Sequence, residues 1–178
     1  EMSEPFPPVV LFLGDETVGR KRAAQDLVEA VFDGQASSFN HAVFTAADGA
    51  ERAVEVAKTV PMMANHRVVV VREMEIAPVE LLDELLQYTE RPNPSTVLIL
   101  TGTKNAPASG GIDRGRRLEA AIKKVGRVER FKTADQNPRR FAAKMAEEAG
   151  MRLAPAAADL VVELVGTDLG RVQTEMNK

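Results

Sequence analysis

The sequence predicts an α/β fold, a parallel sheet flanked by helices, followed by a small three-helix domain. Three observations carry this expectation. Short apolar runs at 9–13, 67–71 and 97–100 are bounded by glycine, proline or charge, the pattern of strands buried on both faces of a parallel sheet. Stretches with apolar residues at helical spacing lie between these runs, so strands and helices alternate. Past residue 137 the helix signals continue and no strand signal intervenes.

The elements follow in order. The run from Val9 to Leu13 is closed by Gly14, as a strand ending in a turn. Over 17–32, Val18, Ala24, Leu27, Val28 and Val31 recur at helical spacing, and Gly34 stands where a C-terminal cap is expected. A second strand falls within 38–45 around Phe39, Val43 and Phe44, with Asn40 and His41 interrupting its apolar pattern. Asp48 and Glu51 have capping-box spacing, and Ala53, Val54, Ala57 and Val60 form the apolar stripe of a helix that Pro61 stops. Four consecutive β-branched valines, 68–71, lie between Arg67 and Arg72 and predict a strand at the centre of the sheet.

Pro78 opens a helix with Leu81, Leu82, Leu85 and Leu86 on one face, and Pro92 and Pro94 prevent its continuation. Val97 to Leu100 is a further core strand. Residues 101–111 are rich in Thr, Asn, Pro, Ser and Gly and predict an exposed, mobile loop. Asp113 caps a helix carrying Leu118, Ala121, Ile122 and Val125, and a fifth strand at 128–131 follows Gly126. Asn137-Pro138, Pro155 and Thr167 or Asp168 then open three helices. The expected division is residues 1–134 for the α/β domain and 135–178 for the helical one.

At 44% hydrophobic and 28% charged, the 178 residues have the composition of a soluble globular protein, and no stretch approaches the ~20 apolar residues of a membrane span. No membrane association is expected. The first eight residues carry Pro5, Pro7 and Pro8 and lack the basic and apolar regions of a secretory signal. Cysteine is absent, which excludes a disulfide framework and a thiolate metal site and suits a reducing, cytoplasmic location. His41 and His66 match no local metal-ligand spacing, so no metal is expected. Net charge is −3, yet twelve Lys and Arg stand against four carboxylates over 104–144, a local +8 that leaves −11 elsewhere. That segment is either a solvated helix face or a surface for phosphate, and salt-sensitive binding to primed DNA would mark the second.

The stretch Gly14-Asp15-Glu16-Thr17-Val18-Gly19-Arg20-Lys21 sits between first strand and first helix, the place of a phosphate-binding P-loop. Its glycines have the P-loop spacing, but Arg20 stands at the lysine position and Lys21 at the hydroxyl position, so magnesium loses its ligand. Asp15 and Glu16 add negative charge where phosphates would lie. The valine strand ends in Arg72-Glu73 rather than in an aspartate. The expectation is a degenerate loop of Gly14, Gly19, Arg20 and Lys21 with no catalytic residue and no bound cofactor. The enzymatic alternative is a divergent ATPase that places Arg20 or Lys21 on phosphate. No cysteine nucleophile, G-x-S-x-G elbow or H-E-x-x-H is present.

The order Leu11-Phe12-Leu13-Gly14-Asp15-Glu16, then 59–71 (TVPMMANHRVVVV), then Ile112-Asp113-Arg114-Gly115-Arg116-Arg117-Leu118 resembles the delta subunit of bacterial DNA polymerase III. The similarity continues through Gly166-Thr167-Asp168-Leu169 to Glu175-Met176-Asn177-Lys178. The resemblance implies an AAA+-like fold without a functional ATP site, and a helical collar domain beyond the point where this chain stops. It implies a non-enzymatic clamp-loader subunit in DNA replication that binds the ring-shaped sliding clamp (beta) and helps hold the ring open. The other loader subunits (gamma/tau and delta prime) would be partners, and primed DNA would be met through the assembled complex. The clamp-binding element of this family is a hydrophobic wedge just before the strand matching 67–71. By position the tip is Met62 and Met63, with Val60 and Pro61 leading into it; family wedges often carry a Leu-Phe or Phe-Phe pair. Without the resemblance, adjacent methionines are more often core filler, although methionine also suits adaptable binding surfaces.

Overall fold

The computed structural model describes residues 5–33, 39–48, 50–133 and 146–147. The chain divides into two compact units, Glu1–Arg130 and Phe131–Lys178. The helices expected over 135–178 lie outside the described residues, apart from a helical pair at 146–147.

The first unit is a five-stranded parallel sheet with helices on its faces. Its strands are β1 (Val9–Leu13), β2 (His41–Thr45), β3 (Arg67–Arg72), β4 (Thr96–Gly102) and β5 (Arg127–Arg130). Its helices are α1 (Thr17–Phe32), α2 (Ala50–Ala57), α3 (Val79–Glu90) and α4 (Arg114–Val125), with a 3-10 turn at Met74–Ile76. The strand order is β2-β3-β4-β1-β5 and every pairing is parallel. The valine strand is therefore interior, with a neighbour on each side, but β4 holds the centre. The register aligns Val9, Leu98 and Val69 in one row, and Leu11, Leu100 and Val71 in the next.

Those two rows form the floor of the main core. Ala53, Val54 and Ala57 of α2, Leu81, Leu82, Leu85 and Tyr88 of α3, and Leu118 and Ile122 of α4 close over it. The other sheet face buries Val10, Phe12, Val68, Val70, Val97 and Ile99, while α1 brings in Val28 and Val31. Each fully buried Leu or Val removes its apolar surface from water, a gain of about 1.5–3 kcal/mol per side chain. The sheet edge at β5 depends on a close backbone approach. A Cβ on Gly126 would lie 1.8 Å from the Val9 carbonyl oxygen, so no side chain fits between α4 and β5.

Several boundaries differ from expectation for physical reasons. Helix α1 spans Thr17–Phe32 as expected, but its C-cap is Asp33 rather than Gly34; Asp33 adopts the left-handed conformation (φ 47°) and donates its N–H to Glu29 O. Strand β2 begins at His41, leaving Phe39 outside the sheet. Thr101 and Gly102 belong to β4, and Ala106 is buried, so the expected loop is shorter and in part packed. Strand β5 spans Arg127–Arg130, one residue earlier than expected.

Helix α2 stops at Ala57, three residues before the expected Val60. Other elements take its terminal carbonyls: Thr96 Oγ1 donates to Ala57 O (2.7 Å), and Asn93 Nδ2 donates to both Ala57 O (3.1 Å) and Thr59 O (3.2 Å). Val60, assigned to the apolar stripe on sequence, is instead 79% exposed.

Candidate functional site

The segment between α2 and β3 is short of secondary structure but is tied down along its length. Beyond the carbonyls of Ala57 and Thr59, that of Val60 accepts from the Arg67 guanidinium (3.2 Å). A second nitrogen of the same guanidinium donates to Phe39 O (3.3 Å). Asn40 completes the arrangement from the start of β2. Its Nδ2 donates to Met62 O (2.7 Å) while its Oδ1 accepts from Met62 N–H (2.8 Å), so one amide saturates both polar groups of residue 62. Asn40 is only 2% exposed, and buried amides of this kind contribute about 1 kcal/mol per hydrogen bond while fixing one geometry.

With the backbone held from below, the side chains stand outward. Met62 is 61% exposed and Met63 fully so, while Pro61 is half-buried at their base. Met63 sits at φ 55°, a left-handed conformation uncommon for a side-chain-bearing residue. It places the tip at a sharp turn. Val60 and Phe39, each 79% exposed, extend the same apolar surface. The sequence singled out Val60, Pro61, Met62 and Met63. It did not single out Asn40, Arg67 or Phe39; the available signal was the pair of polar residues, Asn40 and His41, breaking an otherwise apolar strand.

The degenerate P-loop residues lie at the opposite end of the strands. Helix α1 begins at Thr17, so Gly19 is inside its first turn rather than in a loop, and only Gly14, Asp15 and Glu16 separate it from β1. Gly14 has φ 141° and donates its N–H to Gly102 O. Glu16 is the N-cap. Its buried carboxylate accepts from Gly19 N–H at 2.8 Å, so the protein's own anion occupies the helix N-terminus that a phosphate would need. Arg20 is buried and its Nε has no hydrogen-bond partner among the described residues, while Lys21 is exposed. Among the described residues no cluster of His, Asp and Glu could hold a metal ion.

A groove of about 790 Å³ beside α1 is lined by Arg20, Lys21, His41, Arg72, Glu73 and Thr101, among others. His41 Nε2 is buried there with no hydrogen-bond partner among the described residues. Desolvation, followed by the positive charge of Arg72, holds the His41 pKa below its ordinary value of 6.5. The neutral imidazole is therefore favoured in the fold, whereas the unfolded chain binds its proton more readily. Stability from this residue is complete above the unfolded value and is lost as pH falls below it. Urea midpoints at pH 7.5 and 5.5 should show a smaller drop for His41→Gln than for the parent; equal drops would remove His41 as a source of acid sensitivity.

The basic stretch after residue 104 is paired in part within the first unit, with Asp83 the one ion-pair partner from outside the stretch among the described residues. Arg114 pairs with Asp83 at 2.7 Å, Arg127 with Glu129 at 2.9 Å, and Arg130 and Lys123 both meet the buried carboxylate of Glu119. Glu119 also accepts from Asn105 Nδ2 at 3.0 Å. Arg116, Arg117 and Lys124 remain as exposed cations on α4.

Comparison with known proteins now bears on this arrangement. A family model described as DNA polymerase III, delta subunit, matches residues 11–110. The chain belongs to the DNA polymerase III delta subunit family. Among solved structures it is similar to the Bacillus subtilis DNA clamp loader delta protein, with a TM-score of 0.74 and 22% identity over 97% of this chain. The chain spans about half of that protein, 52% of its length. A Thermotoga maritima DNA polymerase III gamma subunit-related protein aligns with a TM-score of 0.59 and 15% identity, over 99% of this chain and 54% of its own. Domain III of the Thermotoga maritima replication initiation protein DnaA gives 0.55 and 14%, over 96% and 74%. These likenesses place the delta-family chain in an AAA+-like α/β fold. No match was found among curated proteins. No helix among the described residues is long and apolar enough to cross a membrane.

Proposed function

We propose that this delta-family chain is a clamp-loader component that binds the sliding clamp through an apolar wedge, Met62 and Met63, and helps open the ring during replication. The observation that carries the reading is a pair of exposed methionines on a loop whose backbone is fixed by Asn40 and Arg67. An apolar side chain in water is a standing cost, and rigid presentation lowers the ordering penalty a partner would otherwise meet. Val60 and Pro61 are the approach to the tip. The sheet is the scaffold, and the chain supplies no chemistry of its own.

In this reading the gamma/tau and delta prime subunits complete the loader in the cytoplasm, and primed DNA is met by the assembly. The buried Glu16 carboxylate supports a subunit without nucleotide, because an incoming phosphate would have to displace a paired internal anion.

Titrating the chain onto immobilised cognate clamp tests the reading. Saturable binding that is unaffected by Mg-ATP is the expected result, with no calorimetric signal for Mg-ATP alone. Absence of clamp binding refutes it. Mg-ATP binding that disappears in Arg20→Ala would instead favour the divergent ATPase.

A further inference from the structure

Phe39 is an aromatic side chain at the surface with no role in the reading above. It precedes β2, is distant in sequence from the methionine tip, and was expected in the sheet. Its exposure of 79% is what decides against a packing role. Surface phenylalanines are not rare singly, but this one is connected to the tip by two separate devices. The Arg67 guanidinium binds the carbonyls of Phe39 and Val60 together. The next residue, Asn40, grips the peptide groups of Met62. Asn40 is in turn fixed to the sheet, its carbonyl accepting from Val68 N–H at 2.7 Å. Two chain segments more than twenty residues apart are thus locked edge to edge, each presenting apolar side chains.

We infer that Phe39 is part of the clamp-contacting surface, an aromatic anchor beside the methionine tip that enters a second apolar hollow on the ring; this rests on the proposed function. The partner is the sliding clamp, because Phe39 shares with Val60 and Met62 the supports that hold the proposed wedge. Division of labour follows from side-chain chemistry. Methionine has three rotatable bonds beyond Cα and adapts to a pocket, whereas phenylalanine is rigid and loses little rotamer freedom on burial. Aromatic anchors of this kind are common among the few residues that dominate an interface.

The test compares three chains for equilibrium binding and dissociation from immobilised clamp: the parent, Phe39→Ser, and Met62→Ser with Met63→Ser. Circular dichroism melts accompany each, and the high exposure of all three positions predicts unchanged melting. Phe39→Ser should raise Kd at least fivefold, chiefly through faster dissociation, with Phe39→Tyr restoring most of the affinity. If Phe39→Ser stays within twofold of the parent while the methionine variant loses binding, the inference is overturned and the wedge reading stands. If the methionine variant binds like the parent, the wedge reading falls; a loss confined to Phe39→Ser would then keep Phe39 as the contact.

Discussion

Replacing Met62 and Met63 together by serine should abolish measurable binding to the sliding clamp while leaving the fold intact. Each methionine that enters an apolar pocket contributes about 1.5–3 kcal/mol from burial, before ordering costs are deducted. Losing two therefore weakens Kd by roughly 10²- to 10⁴-fold, enough to move a sub-micromolar complex out of range. The fold should not notice. Both side chains face water, so their removal leaves no cavity, and surface substitutions of this kind stay within about 0.5 kcal/mol of the parent. Surface plasmon resonance together with a thermal melt reads both quantities. Unchanged affinity would remove the methionines from the interface, and a collapsed melt would mean that they pack within the monomer.

The second large effect concerns stability. Gly126→Ala should destabilise the α/β unit by about 3 kcal/mol or more, at the upper end of overpacking effects. The added Cβ would sit 1.8 Å from the carbonyl oxygen of Val9 and 2.9 Å from its carbonyl carbon. Both are backbone atoms of a fully buried strand, so no flexible side chain can move aside. The strain is steric, since the residue's φ of −152° is not in the left-handed region. Relief would require β5 to separate from β1, breaking the pairing of Val10 with Arg127 and of Leu11 with Val128. Urea denaturation should show the loss directly, with a fall in Tm on the order of 10 °C. A variant as stable as the parent would mean that α4 and β5 do not approach β1 this closely.

The proposed clamp contact and the stability of the fold thus draw on different parts of one unit. The core rows run through β1, β3 and β4 under α2, α3 and α4, and among the described residues none from 58–66 belongs to that cluster. That separation is what allows an interface variant to be read without unfolding. The supports of the loop are less separable, because Asn40 and Arg67 are buried and serve both the sheet and the tip.

Much of the fold was legible because strand and helix periodicities are local. Four adjacent β-branched residues at 68–71 can hardly be accommodated except in a strand covered on both faces, and the leucines of α3 define one buried stripe. The missed boundaries were those set from a distance. Pro61 looked like the stop for α2, yet the side chains of Asn93 and Thr96, nearly forty residues on, take the terminal carbonyls and end the helix at Ala57. Val60 consequently leaves the stripe for the surface. The start of α1 at Thr17 agrees with the sequence, but the buried Glu16 cap that binds Gly19 N–H had no sequence signal.

By itself the sequence determined the alternation of strands and helices, the parallel sheet, the defective phosphate loop and the positions of two adjacent methionines. These depend on spacing and residue type within a window of a few turns. Only the tertiary structure decided that the methionines and Phe39 face solvent, and that Asn40 and Arg67 hold both segments. Each of those outcomes rests on hydrogen bonds between residues far apart in the chain, and such partners have no signature until the sheet brings β2 beside β3.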